Sequence, residues 1–112
     1  MILTTLLIGA VLAAGVATFW KDIVNWLNRA IAKVKSIVNG IVFGAKVFVK
    51  KISEGIKEIS RHYSKNGTQW EETTVTKTIS ESEVPKDILE KAKAYSGREA
   101  EITDELELQL QG

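Results

Sequence analysis

The chain has 112 residues, 45% hydrophobic and 26% charged, with a formal net charge of +1. That length holds one core, or a small domain plus an appended element, and excludes a multidomain enzyme. With no cysteine and one histidine, His62, disulfides, multi-ligand zinc sites and a cysteine nucleophile are excluded, and a Ser-His-Asp arrangement has a single candidate base.

The near-neutral total conceals a segregation along the chain. Residues 1–20 carry no charged side chain, residues 21–65 carry ten basic and three acidic ones, and residues 66–112 carry five basic and eleven acidic ones. An apolar head, a basic middle and an acidic tail follow one another.

In the head, Ile2 to Trp20 contains only Thr4, Thr5 and Thr18 as polar side chains. As a helix it would extend roughly 28 Å, close to the hydrocarbon thickness of a bilayer. Residues 1–20 therefore predict a transmembrane helix, with Trp20, Lys21 and Trp26 at the membrane interface. The basic excess beyond the span predicts an N-terminus outside the cell membrane and a cytoplasmic C-terminus. Gly9, Ala13 and Ala17 recur at four-residue spacing, which lets helix backbones approach closely and predicts packing between copies.

Across residues 21–63 the apolar positions Leu27, Ile31, Val34, Val38, Ile41, Ala45, Phe48, Ile52, Ile56, Ile59 and Tyr63 step by three and four. This predicts one long basic amphipathic helix, whose seam needs partner helices. Gly40 and Gly44 repeat the small-residue spacing. Residues 37–49 are apolar around nearly the whole circumference. Such a stretch suits burial by other subunits or the headgroup layer, and a β-branched run broken by glycines also suits a strand. Asn25, Asn28, Arg29, Ser36, Asn39 and Lys46 form a polar stripe, the face expected toward the lumen if the assembly conducts. The lysines are spread along a helix without an aromatic-basic platform, so no nucleic-acid partner is expected.

Residues 64–67, Ser-Lys-Asn-Gly, form a break suited to ending a helix. In the acidic unit of residues 68–112, Thr68 to Ile79 is dense in threonine and valine and predicts a strand. Pro85 introduces a helix with Ile88, Leu89, Ala92 and Tyr95 on one face, closed by Gly97. Glu101 to Gln111 alternates leucine with polar residues and predicts a second strand, completing a βαβ unit. The acidic spacing is not that of a calcium loop.

No phosphate loop, paired-histidine helix or nucleophile elbow occurs, so neither an enzyme nor a cofactor is expected. The fold class expected is a mainly α membrane protein: a transmembrane helix, a long amphipathic helix and a small C-terminal α+β unit. Its expected function is that of a single-pass homo-oligomer, a pore-forming or membrane-perturbing effector with a regulatory tail. The alternatives are a pilin-like filament subunit and a simple anchor that recruits a soluble protein through its acidic tail.

Overall fold

The computed structural model describes residues 18–38 and 41–111. In chain order they form α1 (Thr18–Val38), β1 (Val42–Ile52), β2 (Gly55–Asn66), β3 (Gln69–Ile79), a 3-10 turn (Glu81–Glu83), α2 (Lys86–Ala94), β4 (Ala100–Glu101) and α3 (Thr103–Gln111). The strands make one antiparallel sheet in the order β3-β2-β1-β4.

The three-and-four spacing holds as far as Val34. Ile23, Leu27, Ile31 and Val34 are buried along one side of α1, while Lys21, Asn25, Arg29, Lys33 and Ser36 lie on the other, largely in water. From Ile41 onward the β-branched residues favour an extended chain and burial alternates in twos. Ala45, Val47 and Val49 are buried on one face of β1, and Lys46, Phe48 and Lys50 are half-buried on the other. Val47, Val49 and Ile56 join Phe19, Trp20, Leu27, Ile88, Ala92, Ile102 and Leu106 in a single hydrophobic core. All three helices thus contribute to one face of the sheet, and the chain covers its own helical seam.

Two turns make the sheet possible. Asn66 and Gln69 are paired across Gly67, which takes φ +65°, so Asn-Gly forms a hairpin rather than a helix stop. Gly55 follows the Ser53-Glu54 turn at φ +150°, and a Cβ there would lie 2.3 Å from the carbonyl oxygen of Ile79. At the other edge, Val47 N–H donates to Thr103 Oγ1 at 2.9 Å and Ile102 N–H donates to Val47 O at 2.8 Å. These bonds clip the start of α3 to β1.

The expected fold class is corrected on several counts. The helix extends to Val38, and of the rest of its expected length residues 42–52 form β1 and residues 55–63 belong to β2. The βαβ unit does not form, because β3 and β4 lie at opposite edges of the sheet with β2 and β1 between them. The final run is a helix beyond Glu101: Ile102, Leu106 and Leu110 are four apart and turn toward the core, leaving Leu108 exposed. The β3 strand and the α2 helix lie where the sequence places them.

The membrane reading is corrected as well. No helix among the described residues is long and apolar enough to cross a membrane. Residues 1–17 of the expected span lie outside the described residues, and its last three, Thr18 to Trp20, begin α1. Phe19 and Trp20 are core residues, 6% exposed each, and Trp26 is buried too, so neither tryptophan marks a membrane boundary. The seam expected to need other copies is filled by the chain's own sheet, so the long helix offers no seam for a pore or a homo-oligomer. The inside–outside topology and the filament and anchor alternatives rest on the apolar head, for which no membrane-spanning helix is found among the described residues. Part of the acidic tail is also answered within the chain, by Lys51–Glu81 at 3.2 Å and Lys91–Glu105 at 2.6 Å.

Two substitutions probe this framework. Gly55→Ala should destabilise by roughly 2 kcal/mol or more, through an unfavourable φ and the clash with Ile79 O. Thr103→Val should cost about 1–3 kcal/mol, because it strands the buried Val47 N–H. Urea unfolding midpoints measure both, and unchanged midpoints would contradict the geometry.

Candidate nucleic-acid interface on the open sheet face

With the helices on one side, the other face of the sheet carries the alternate residues of each strand. Register places Lys50 opposite Lys57, Phe48 opposite Ile59 and Lys46 opposite Arg61 between β1 and β2. Between β2 and β3 it places Arg61 opposite Thr74, Tyr63 opposite Glu72 and Lys65 opposite Trp70. A register shift between Val42 and Gly44 leaves Phe43 over as a bulge. Its ring meets Trp70 edge to face at 5.5 Å. Trp70 is 59% exposed and Phe43 44%, so this aromatic pair stands in water rather than in the core.

Charge on this face is organised around Arg61. Its guanidinium lies 4.8 Å from the Phe48 ring centre, bonds both carboxylate oxygens of Glu99, one of them at 2.9 Å, and reaches Glu72 at 2.8 Å. Hydrogen bonding to Glu99 raises the Arg61 pKa further and holds the Glu99 carboxyl below its ordinary value, with Lys50 and Lys57 adding to the latter. Burial, with the nearby Glu72 charge, raises the Tyr63 phenol. Lys65 Nζ sits 4.9 Å over the Trp70 ring. The face thus presents Lys46, Lys50, Lys57 and Lys65 beside Phe43, Tyr63 and Trp70, and Arg61 is anchored by its glutamates as part of the scaffold.

Lys50 opposite Lys57 and Lys46 opposite Arg61 are like charges in direct cross-strand register. Such pairs oppose sheet formation by tenths of a kcal/mol to about 1 kcal/mol each. Glu72, Glu99 and Glu101 offset part of this: Glu99 lies near Lys50 and Lys57 as well as Arg61, and Glu101, in register with Phe48, lies near Lys46.

The opposite, sealed face of β2 is polar in a different way. Glu58, Ser60, His62 and Ser64 are all buried against the helical layer, at 2% exposure or less. Ser60 Oγ lies 2.9 Å from His62 Nε2 and 3.4 Å from Val75 O. The arrangement that satisfies both contacts has His62 donating from Nε2 and the serine hydroxyl donating to the carbonyl. His62 Nδ1 and Glu58 Oε2 have no hydrogen-bond partner among the described residues. A Ser–His pair sealed from solvent, with no carboxylate on the second ring nitrogen, is not arranged as a nucleophile and base. Burial takes His62 down to about 4. Burial also lifts Glu58 to about 7, with Asp22 and Glu83 adding to the rise and Lys77 opposing it.

Of the residues singled out in the sequence, Gly9, Ala13, Ala17, Gly40 and Asn39 lie outside the described residues. Gly44 is buried in β1 opposite Tyr63, and Trp20 and Trp26 are buried on α1. Lys21, Asn25, Arg29 and Ser36 share the outer side of α1, whereas Lys46 belongs to the open sheet face. Lys50, Lys57, Lys65, Tyr63 and Trp70 were not singled out as a group, nor was Phe43. The signal that would have found them is the alternation Lys46-Val47-Phe48-Val49-Lys50 followed by Asn66-Gly67 as a hairpin turn. Among the described residues no three His, Asp or Glu side chains are grouped to hold a metal ion.

The two buried groups give opposite pH dependences. The raised Glu58 makes stability fall as pH rises from 4.5 to about 7, because the folded state there holds the extra proton. The lowered His62 makes stability fall as pH drops from 6.5 to about 4, where the unfolded state holds it. Each amounts to something on the order of 3 kcal/mol over its window, so in the shared range the two nearly cancel. Glu58→Gln should therefore expose a loss of stability toward acid, and His62→Gln a loss toward neutral pH, in urea midpoints taken from pH 4 to 8. Two variants with the same profile would contradict these assignments. Compared with protein-family models, curated proteins and solved structures, the chain matches none, so the reading of the open face rests on its own geometry.

Proposed function

We propose that the open sheet face is a non-enzymatic docking surface for single-stranded nucleic acid. The observation that carries this reading is the pair of like-charged cross-strand contacts, Lys50 with Lys57 and Lys46 with Arg61, flanked by exposed aromatic rings. Lysines neutralise phosphates and release counterions, and an exposed indole stacks on a base of any identity. A sheet face that no helix covers among the described residues suits splayed bases better than a duplex, whose bases are already stacked. The expectation of no nucleic-acid partner assumed that the lysines wind around a helix. A strand instead collects every second residue on one side.

Fluorescence anisotropy with a labelled oligothymidylate tests this proposal. Engaging the four lysines predicts a slope of log affinity against log salt of roughly −3 for a single strand. Trp70→Ala should weaken binding by about 1–3 kcal/mol. Lys57→Gln should also weaken it while leaving the thermal midpoint unchanged or raised, because it relieves the repulsion with Lys50. Absence of binding at low salt, equal binding by the variants, or a preference for duplex would each reject the proposal.

A further inference from the structure

On the helical side of the sheet, a cavity of about 250 Å³ lies where the start of α1, β2, β3 and the 3-10 turn meet. Phe19 and Ile79 supply apolar wall, and Asp22, Glu58, Lys77 and Glu83 supply charge. Glu58 forms part of its inner wall. It is 2% exposed, and its Oε2 has no hydrogen-bond partner among the described residues. Asp22 and Glu83 are exposed at the rim, and Lys77 is the cross-strand neighbour of Glu58. Among the described residues, three carboxylates therefore face one ammonium. A buried carboxylate oxygen left without a donor is costly, and a ligand that brings a donor removes that cost.

We propose that this cavity binds a small organic cation of the alkylammonium or guanidinium class, with its N–H groups toward the Glu58 carboxylate and its carbon skeleton against Phe19 and Ile79. The acidic groups are not clustered tightly enough for a metal ion among the described residues, so an ion that carries its charge on a larger body fits better. The volume is below the roughly 300 Å³ at which drug-sized ligand pockets begin, which limits the occupant to a handful of non-hydrogen atoms. The aromatic ring of Phe19 adds attraction for a cation near its face. This site is on the other side of the sheet from the nucleic-acid surface and stands independently of it.

Binding couples to protons. Around Glu58, Asp22 from α1 and Glu83 from the 3-10 turn favour its neutral form, Lys77 from β3 favours the charged form, and its β1 neighbour Val49 is apolar. A cation needs the carboxylate ionised, so apparent affinity should be reduced by the fraction that remains protonated. With half-ionisation at about 7, binding at pH 6 should be about tenfold weaker than at pH 8 and should release a proton.

The test is titration of the full chain with n-butylammonium and with guanidinium, followed by backbone NMR shifts and by calorimetry in buffers of different ionisation enthalpy. Saturable millimolar binding, with shifts centred on residues 58, 77 and 83, proton uptake by the buffer at pH 6 and loss in Glu58→Gln, would support the proposal. The carboxamide introduced by Glu58→Gln matches the shape of the protonated carboxyl, and an unchanged circular dichroism spectrum would confirm that the variant is folded. No saturation into the tens of millimolar, equal binding by folded Glu58→Gln, a pH-independent affinity, or a response to divalent metal ions alone would overturn it.

Discussion

The seam of α1 rests on Val47, Val49 and Ile56, and this contact decides which side of every strand is inside. Side-chain direction alternates along a strand, so once Val47 and Val49 are committed to the helix, Lys46, Phe48 and Lys50 are committed to the opposite side. Register carries that commitment to β2 and β3. A slip of one residue in β2 would bring Lys57 and Arg61 under the helix and carry Glu58 and His62 into water. The exposed basic row and the buried polar row are therefore two results of a single packing choice.

That choice has a tension in it. A sheet face under a helix is ordinarily apolar, yet β2 offers Glu58, Ser60, His62 and Ser64 to it. Ile56 is the residue of β2 in the apolar core, whose other contacts come mainly from β1, α1, α2 and the segment from Ala100 to Leu106. The polar residues of β2 stay inside as neutral groups: the imidazole without its proton and the carboxyl with one over much of the acid range. Keeping both groups uncharged makes burial tolerable while leaving each able to respond to its surroundings.

Much of this is legible in the sequence, and the failures have physical causes. The α1 seam, the threonine-rich β3 and the proline-led α2 are readable because each carries a period and a boundary signal that agree. Residues 41–63 mislead because alternation of twos over Val42 to Lys50 also supplies matches every three or four residues. The β-branched content of Ile41, Val42, Val47 and Val49 is what separates the two periods. Asn66-Gly67 fits a helix end and a hairpin equally by composition, and only the strand on both sides tells them apart. The last segment fails in reverse, since Ile102, Leu106 and Leu110 satisfy both a strand face and a helix face. The aromatic-basic surface is invisible until β1, β2 and β3 are aligned, because Phe43 and Trp70 are far apart in sequence and meet only across β2.

The long outer margin of β3 has one more implication. An eleven-residue border strand with its backbone amides turned outward is a template on which other extended chains can grow, the usual first step toward insoluble aggregates. Lys77 points from that border toward the helical layer, where a flat apolar row would otherwise run from Val75 to Ile79. An incoming strand that dried this margin would strip water from the Lys77 ammonium and leave only the carboxylates of the cavity to face it, a cost that an apolar side chain at the same place would not impose.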